Sequence, residues 1–171
     1  LAIESEAWDD AIRELQKAID LDPDHDAAWT ALGYVFETRH QPDEAVNVYR
    51  RAIRANPDNP NFVERLGDLL IRLGKYQEAQ QELESLANVA PHDPRIWMKL
   101  GAVHYEQKAW DKAADAFRRV LTLEPGNLRG RYFLATTLMD AGKDADARIE
   151  LERILRGDPR SIDARVQLGF L

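Results

Sequence analysis

Residues 97–105 read WMKLGAVHY, a run of helix-compatible side chains around a central glycine. In a helix interior that glycine costs about 1 kcal/mol relative to alanine, so its presence needs a reason. The chain supplies one by repetition. Thirty-four residues before Gly101 stands Gly67, and the same step back again reaches Gly33; forward, it reaches Ala135 and then Gly169. When these residues are set as the eighth place of a unit, the seventh is Leu32, Leu66, Leu100, Leu134 and Leu168. The twentieth place is Ala11, Ala45, Ala79, Ala113 and Ala147, and the thirty-second is Pro23, Pro57, Pro91, Pro125 and Pro159.

Within a unit the apolar places follow a helical period. Trp29, Leu32, Gly33 and Phe36 mark one stripe, and Ala45, Tyr49, Ala52 and Ile53 a second, which predicts two amphipathic helices per unit. Asn59-Pro60 and Asp93-Pro94 each place an N-cap before a proline at the first helical position, where the missing N–H does no harm. The thirty-second-place prolines close each second helix, and Pro42, Pro60 and Pro94 fall at segment starts. The expected architecture is all-α: antiparallel helix pairs stacked into an alpha-alpha superhelix. Helices approach closest where side chains are smallest, so Gly at the eighth place and Ala at the twentieth permit the contact, and bulk at the fourth, seventh, eleventh and twenty-fourth places fills around it.

The period divides the chain into four complete units, 26–59, 60–93, 94–127 and 128–161. Residues 1–25 read as the end of one helix followed by a full second helix, with Trp8 equivalent to Tyr76 and Trp110; residues 162–171 begin a further first helix. The ragged register and an initial Leu1 suggest a segment cut from a longer polypeptide. The unit 128–161 departs most, with Arg131 in the aromatic place, Ala135 for glycine and Asp144 where Tyr76 and Trp110 stand, so looser packing is expected there.

Bulk composition narrows the function classes. Of 171 residues, 44% are hydrophobic and 31% charged, enough to bury a core and stay in water. A net charge of -7 argues against nucleic acid as partner, because phosphate neutralisation needs a basic stripe. Arg50-Arg51 and Arg118-Arg119 read as solvated helix faces. The chain has no cysteine, which removes disulfides, thiolate metal sites and a Cys nucleophile while leaving cytoplasm and periplasm equally open. No apolar run reaches the roughly 20 residues that a membrane-spanning helix needs, so direct membrane insertion is not expected.

The residues Trp29, Leu32, Gly33, Phe36, Ala45, Tyr49, Ala52 and Pro57 together resemble the tetratricopeptide repeat, whose unit carries a Trp, Leu-Gly, Tyr, Ala, an aromatic, Ala and Pro at these spacings. The resemblance extends over nearly the whole chain. It implies a helical solenoid used for protein binding, with the first helix of each unit lining a concave face. It also implies that the second, fifth, ninth, twelfth and thirteenth places of that helix meet a bound peptide. Carried over, these include Tyr34 in the first unit and Glu64, Asp68 and Ile71 in the second. The third contributes Arg95, Met98 and Tyr105, and the fourth Arg129, Tyr132 and Met139; Asp163, Val166 and Phe170 follow from the last segment. Tyr34, Ile71, Met98, Tyr105, Tyr132, Met139 and Phe170 form an apolar track, set against the bland alternative that neighbouring helices cover them. Arg95 and Arg129, with Glu64, Asp68 and Glu106, would set register by charge.

Two specialised versions of the family do not fit. A carboxylate clamp needs Lys and Asn, then Asn, then two basic residues, where this chain has Thr30 and Tyr34, Arg65, and Arg95 with Lys99. The asparagine ladder of the sugar-transferase members meets Ala31, Arg65, Lys99 and Phe133. Catalytic chemistry is not indicated either. His25, His40, His92 and His104 lack metal-ligand spacing, and His104, at an internal place, reads as a hydrogen-bonded core histidine. Glu82 with Glu84 and Asp144 with Asp146 lie on water-facing stretches, with no phosphate loop or nucleophile elbow. The expectation is a non-catalytic interaction module without cofactor or metal, holding a peptide or protein segment on its concave face. The alternative is a structural spacer or assembly scaffold of a bacterial envelope, pilus or exopolysaccharide export protein. Self-association through the truncated terminal repeats is a further expectation.

Overall fold

The structure, a computed structural model, describes residues 2–171. Its elements are α1 (Ala2–Leu21), α2 (Asp26–Thr38), α3 (Pro42–Ala55), α4 (Pro60–Arg72), α5 (Tyr76–Val89), α6 (Pro94–Glu106), α7 (Trp110–Leu123), α8 (Leu128–Asp140), α9 (Asp144–Gly157) and α10 (Ile162–Phe170), with no strand among the described residues. The all-α helix-pair architecture stands. The helices group into two compact units, α1–α4 up to Gly74 and α5–α10 from Lys75, so the division falls inside the span 60–93 that the sequence marks as one repeat. Leu1, where the span 1–25 begins, lies outside the described residues. The rest of that span differs from expectation: α1 is one unbroken helix, because nothing between Ala2 and Leu21 is proline or glycine and the first breaker is Pro23.

The first helices α4, α6, α8 and α10 start on side-chain caps, whereas α2 starts on His25 without one. Asn59 accepts from the Asn61 N–H, Asp93 from Arg95, Asn127 from Gly130 and Ser161 from Ala164. Second helices start on Gln41, Lys75, Ala109 and Lys143, which make no such bond. There the preceding turn does the positioning. The fifteenth place is left-handed in all four units, at His40 (φ 56°), Gly74 (φ 69°), Lys108 (φ 57°) and Gly142 (φ 70°). The His40 N–H bonds the Glu37 carbonyl at 3.1 Å and the Gln41 N–H reaches back to Phe36 at 2.9 Å, with Lys108–Ala109 and Gly142–Lys143 repeating the pair. This is the Schellman reversal, which satisfies the last carbonyls of one helix while aiming the next.

The small-residue periodicity has a direct structural cause. A Cβ built on Gly33 would lie 2.4 Å from the Tyr49 ring, and one on Gly101 would lie 2.4 Å from Phe117. At Gly33 and Gly101 the eighth-place glycine is therefore the seat of the aromatic at the twenty-fourth place of the same unit, whereas the unit of Gly67 has Leu83 at that place. Where the seat is Ala135, the twenty-fourth place is Leu151, fully buried in the same cluster, so a smaller knob answers a smaller hole. Ala45, Ala79, Ala113 and Ala147 are each 0% exposed, which explains the invariance of the twentieth place.

The fourth place carries a second periodic device. The Trp29 indole donates to the Pro23 carbonyl at 2.8 Å, and Trp97 to Pro91 at 2.9 Å. Arg51 and Arg119 cover these indoles at 5.2 and 5.9 Å from the ring centres, so one member of each arginine pair lies on an aromatic face. Arg131 keeps the backbone bond, donating to Pro125 at 2.8 Å, and its other nitrogen meets Glu150 at 2.7 Å. Glu150 also binds Arg153 and is almost wholly buried, so in this unit an ion network stands where the units 26–59 and 94–127 stack an arginine on tryptophan; the unit 60–93 has Val63 at this place.

Candidate functional site

The first helices α6, α8 and α10 lie in succession within the second compact unit and bring several expected contact residues together. Tyr105, Tyr132 and Met139 line one recess of about 420 Å³, whose far wall is α10 through Asp163, Val166, Gln167 and Phe170. Val166 is 51% exposed and Phe170 80%, so this wall presents apolar side chains to solvent. Tyr132 and Met139 are half-buried against the α8–α10 core, and Tyr105 against the α7–α8 core, which gives them fixed positions with one open edge.

Rungs between successive first helices order the recess. The Tyr105 hydroxyl donates to the Asp140 carboxylate, and the Gln167 amide donates to the Tyr132 hydroxyl at 2.9 Å and to Thr136 Oγ1 at 3.2 Å. The bond to Asp140, then burial, pushes the Tyr105 phenol up to about 12, because ionisation would set a phenolate beside a carboxylate. The Tyr105 to Asp140 rung has a counterpart in the first unit, where Arg72 on α4 pairs with Glu37 on α2. Glu37 also accepts the Tyr49 hydroxyl at 2.7 Å, and burial foremost, with this bond, raises the Tyr49 pKa.

The remaining expected residues are more dispersed. In the first unit, Glu64 and Asp68 line a polar recess with Thr30, Asn61 and Arg65. Tyr34 on α2 is 60% exposed, and Ile71 on α4 is half-buried. Met98 is drawn inward: it packs on the α7–α8 core, and its methyl lies 3.4 Å from where Gly130 would carry a Cβ. Arg95 turns back onto its own N-cap, Asp93, at 3.0 Å, and the Arg129 guanidinium sits 5.6 Å from the Phe133 ring centre. Gln167 occupies the sixth place of its helix, which the carried-over pattern omits; the place becomes visible only through its bond to the fifth-place Tyr132. His104 is buried, with Nδ1 3.3 Å from the Gln107 side-chain oxygen, as a satisfied core histidine would be. Among the described residues, no group of three or more His, Asp or Glu could hold a metal ion, and no helix is long and apolar enough to cross a membrane.

The tetratricopeptide repeat profiles match residues 1–60, 38–103 and 104–168. The chain is 32% identical over 111 residues to the type IV pilus assembly protein PilF of Pseudomonas aeruginosa, covering 64% of this chain and 44% of that protein. It is 24% identical over 159 residues to anaphase-promoting complex subunit 3 of Schizosaccharomyces pombe, covering 93% of this chain and 24% of that one. The chain thus spans less than half the length of either relative. Among solved structures, YrrB, described as a TPR protein with an unusual peptide-binding site, superposes with a TM-score of 0.71 at 21% identity over 98% of this chain and 86% of its own. MamA superposes with a TM-score of 0.70 at 19% identity, covering 92% of both chains. These two share the fold.

Proposed function

The chain belongs to the tetratricopeptide repeat family, and from that premise we propose that it is a non-catalytic module holding a segment of another protein against α6, α8 and α10. The observation that carries this reading is the recess of about 420 Å³ where half-buried Tyr105, Tyr132 and Met139 face the exposed Val166 and Phe170. Tyrosine and methionine suit such a contact: one offers a large face with a polar tip, the other repacks around varied partners. Exposed apolar side chains grouped around a concavity mark contact surfaces more often than scattered ones do.

Tyr105→Ala and Tyr132→Ala test the reading. Each should weaken partner capture while the far-ultraviolet circular dichroism of the chain stays that of a helical protein. Undiminished capture by both variants would move the contact elsewhere.

A second reading, an assembly scaffold, draws on the 32% identity to a pilus assembly protein. Its contacts would lie on the second helices and the terminal ones. Light scattering against concentration separates the two, because a scaffold that associates through α1 and α10 gains mass with concentration and a recess binder alone does not.

A further inference from the structure

The recess between α8 and α10 has a one-sided hydrogen-bonding inventory. Both hydrogens of the Gln167 amide are engaged, at 2.9 Å on Tyr132 and 3.2 Å on Thr136. The Thr136 hydroxyl donates to the Tyr132 carbonyl at 3.1 Å, and the Tyr105 hydroxyl donates to Asp140. Apart from the Tyr132 O–H, acceptors are what is left over. Gln167 Oε1 is buried with no partner, Asp140 has a second carboxylate oxygen, and Asp163 adds another carboxylate from the first turn of α10. No Lys, Arg or His lines this recess. Met139, Val166 and Phe170 add apolar surface to the same recess.

We propose that this recess receives a lysine or arginine side chain of the bound segment, its head on the Asp140, Asp163 and Gln167 acceptors and its stem along Val166 and Phe170. The assignment rests on the reading of this face as a protein-binding site and adds the chemistry of what enters. A long basic side chain is the natural type with an apolar stem and a head made only of donors. A purely aliphatic side chain would cover the Asp140 and Asp163 carboxylates without partnering them, and an acidic one would meet two carboxylates. The chain's net charge of -7 biases encounter in the same direction.

Three acetylated nonapeptides of alternating Leu and Ser, differing only in a central Lys, norleucine or Glu, test it by nuclear magnetic resonance titration of the intact chain. The readout is the side-chain amide signal of Gln167. The Lys peptide should shift that signal and bind about fivefold more tightly than the norleucine peptide, the size of one or two partly exposed ion pairs. The advantage should shrink in about 1 M salt, where the screening length falls to a few ångströms. Asp163→Asn, at an exposed site in the first turn of α10, should reduce the preference without changing the fold, and Asp140→Asn should reduce it further. Equal binding of the Lys and norleucine peptides, or preference for Glu, overturns the basic-side-chain assignment while leaving the face a binding site. Absence of any Gln167 shift with all three peptides overturns the assignment and removes the recess from the binding face as well.

Discussion

Replacing Gly101 by alanine sets two terms of opposite sign against each other. Helix propensity alone favours alanine by about 1 kcal/mol. The added methyl, however, would lie 2.4 Å from Phe117 Cε1 and 2.7 Å from both Cδ1 and Cζ, against the roughly 3.5–4.0 Å at which carbon atoms attract. Phe117 cannot readily give way, since it is 1% exposed and stacked on Phe133 with ring centres 5.6 Å apart and planes at 20°. Overpacking of a rigid core site costs about 1–3 kcal/mol, and contacts this short belong in the upper part of that range, so a net loss of about 1–2 kcal/mol is expected. Gly169→Ala, at the same place of α10 with nothing within 4 Å, should be neutral or slightly stabilising. Phe117→Leu should rescue Gly101→Ala, because the pair Ala135 with Leu151 already occurs in this chain. Urea unfolding followed at 222 nm reads all five proteins, and the double-mutant cycle of Gly101→Ala with Phe117→Leu should give a favourable coupling of about 1 kcal/mol or more. A Gly101→Ala midpoint equal to or above the parent would refute the account of the glycine.

The left-handed turn predicts that His40→Gly and Lys108→Gly each stabilise by about 0.5–1 kcal/mol, whereas Gly142→Ala at φ 70° destabilises by a similar amount; thermal midpoints check this. Glu150→Ala should destabilise by about 2–3 kcal/mol, since it leaves Arg131, whose side chain is 16% exposed, without its carboxylate. Adding Arg131→Trp should recover most of that loss, because the unit 94–127 carries Trp97 and Ala116 at the places of Arg131 and Glu150, as urea titration would show. Tyr105 has a folded-state pKa raised to about 12, so its contribution is complete below an unfolded value of about 10 and is lost as pH rises from there through 12. Tyrosinate absorbance should show two late-titrating groups, Tyr105 and the more strongly raised Tyr49, and the earlier of the two should disappear in Tyr105→Phe.

The fold was legible because its packing rule repeats. One glycine in a helix is ambiguous, but glycine or alanine recurring every thirty-four residues beside an invariant leucine permits little except stacked helix pairs. The turns were less legible. Gly74 and Gly142 signal a left-handed residue, whereas His40 and Lys108 adopt the same φ with no sequence sign of it, held there by the reversal on either side. Arg131 read as a lost aromatic because the compensating Glu150 lies nineteen residues on, in the following helix, and the pair has meaning only in space. Periodic carry-over pointed to Tyr105, Tyr132 and Met139, which line one recess, but could not foresee that Met98 is drawn onto the α7–α8 core beside Gly130. It also passed over Gln167, whose role depends on a bond to the preceding repeat. Period identifies the packed places well; open ones depend on what each neighbour leaves uncovered.

The claim that the first helices of the second compact unit carry the contact is tested most directly by hydrogen exchange on the intact chain with its captured partner bound. Added protection should fall on α6, α8 and α10, concentrated at Tyr105, Tyr132 and Val166–Phe170. Protection confined to α7 and α9, with the first helices exchanging as in the free chain, would contradict it.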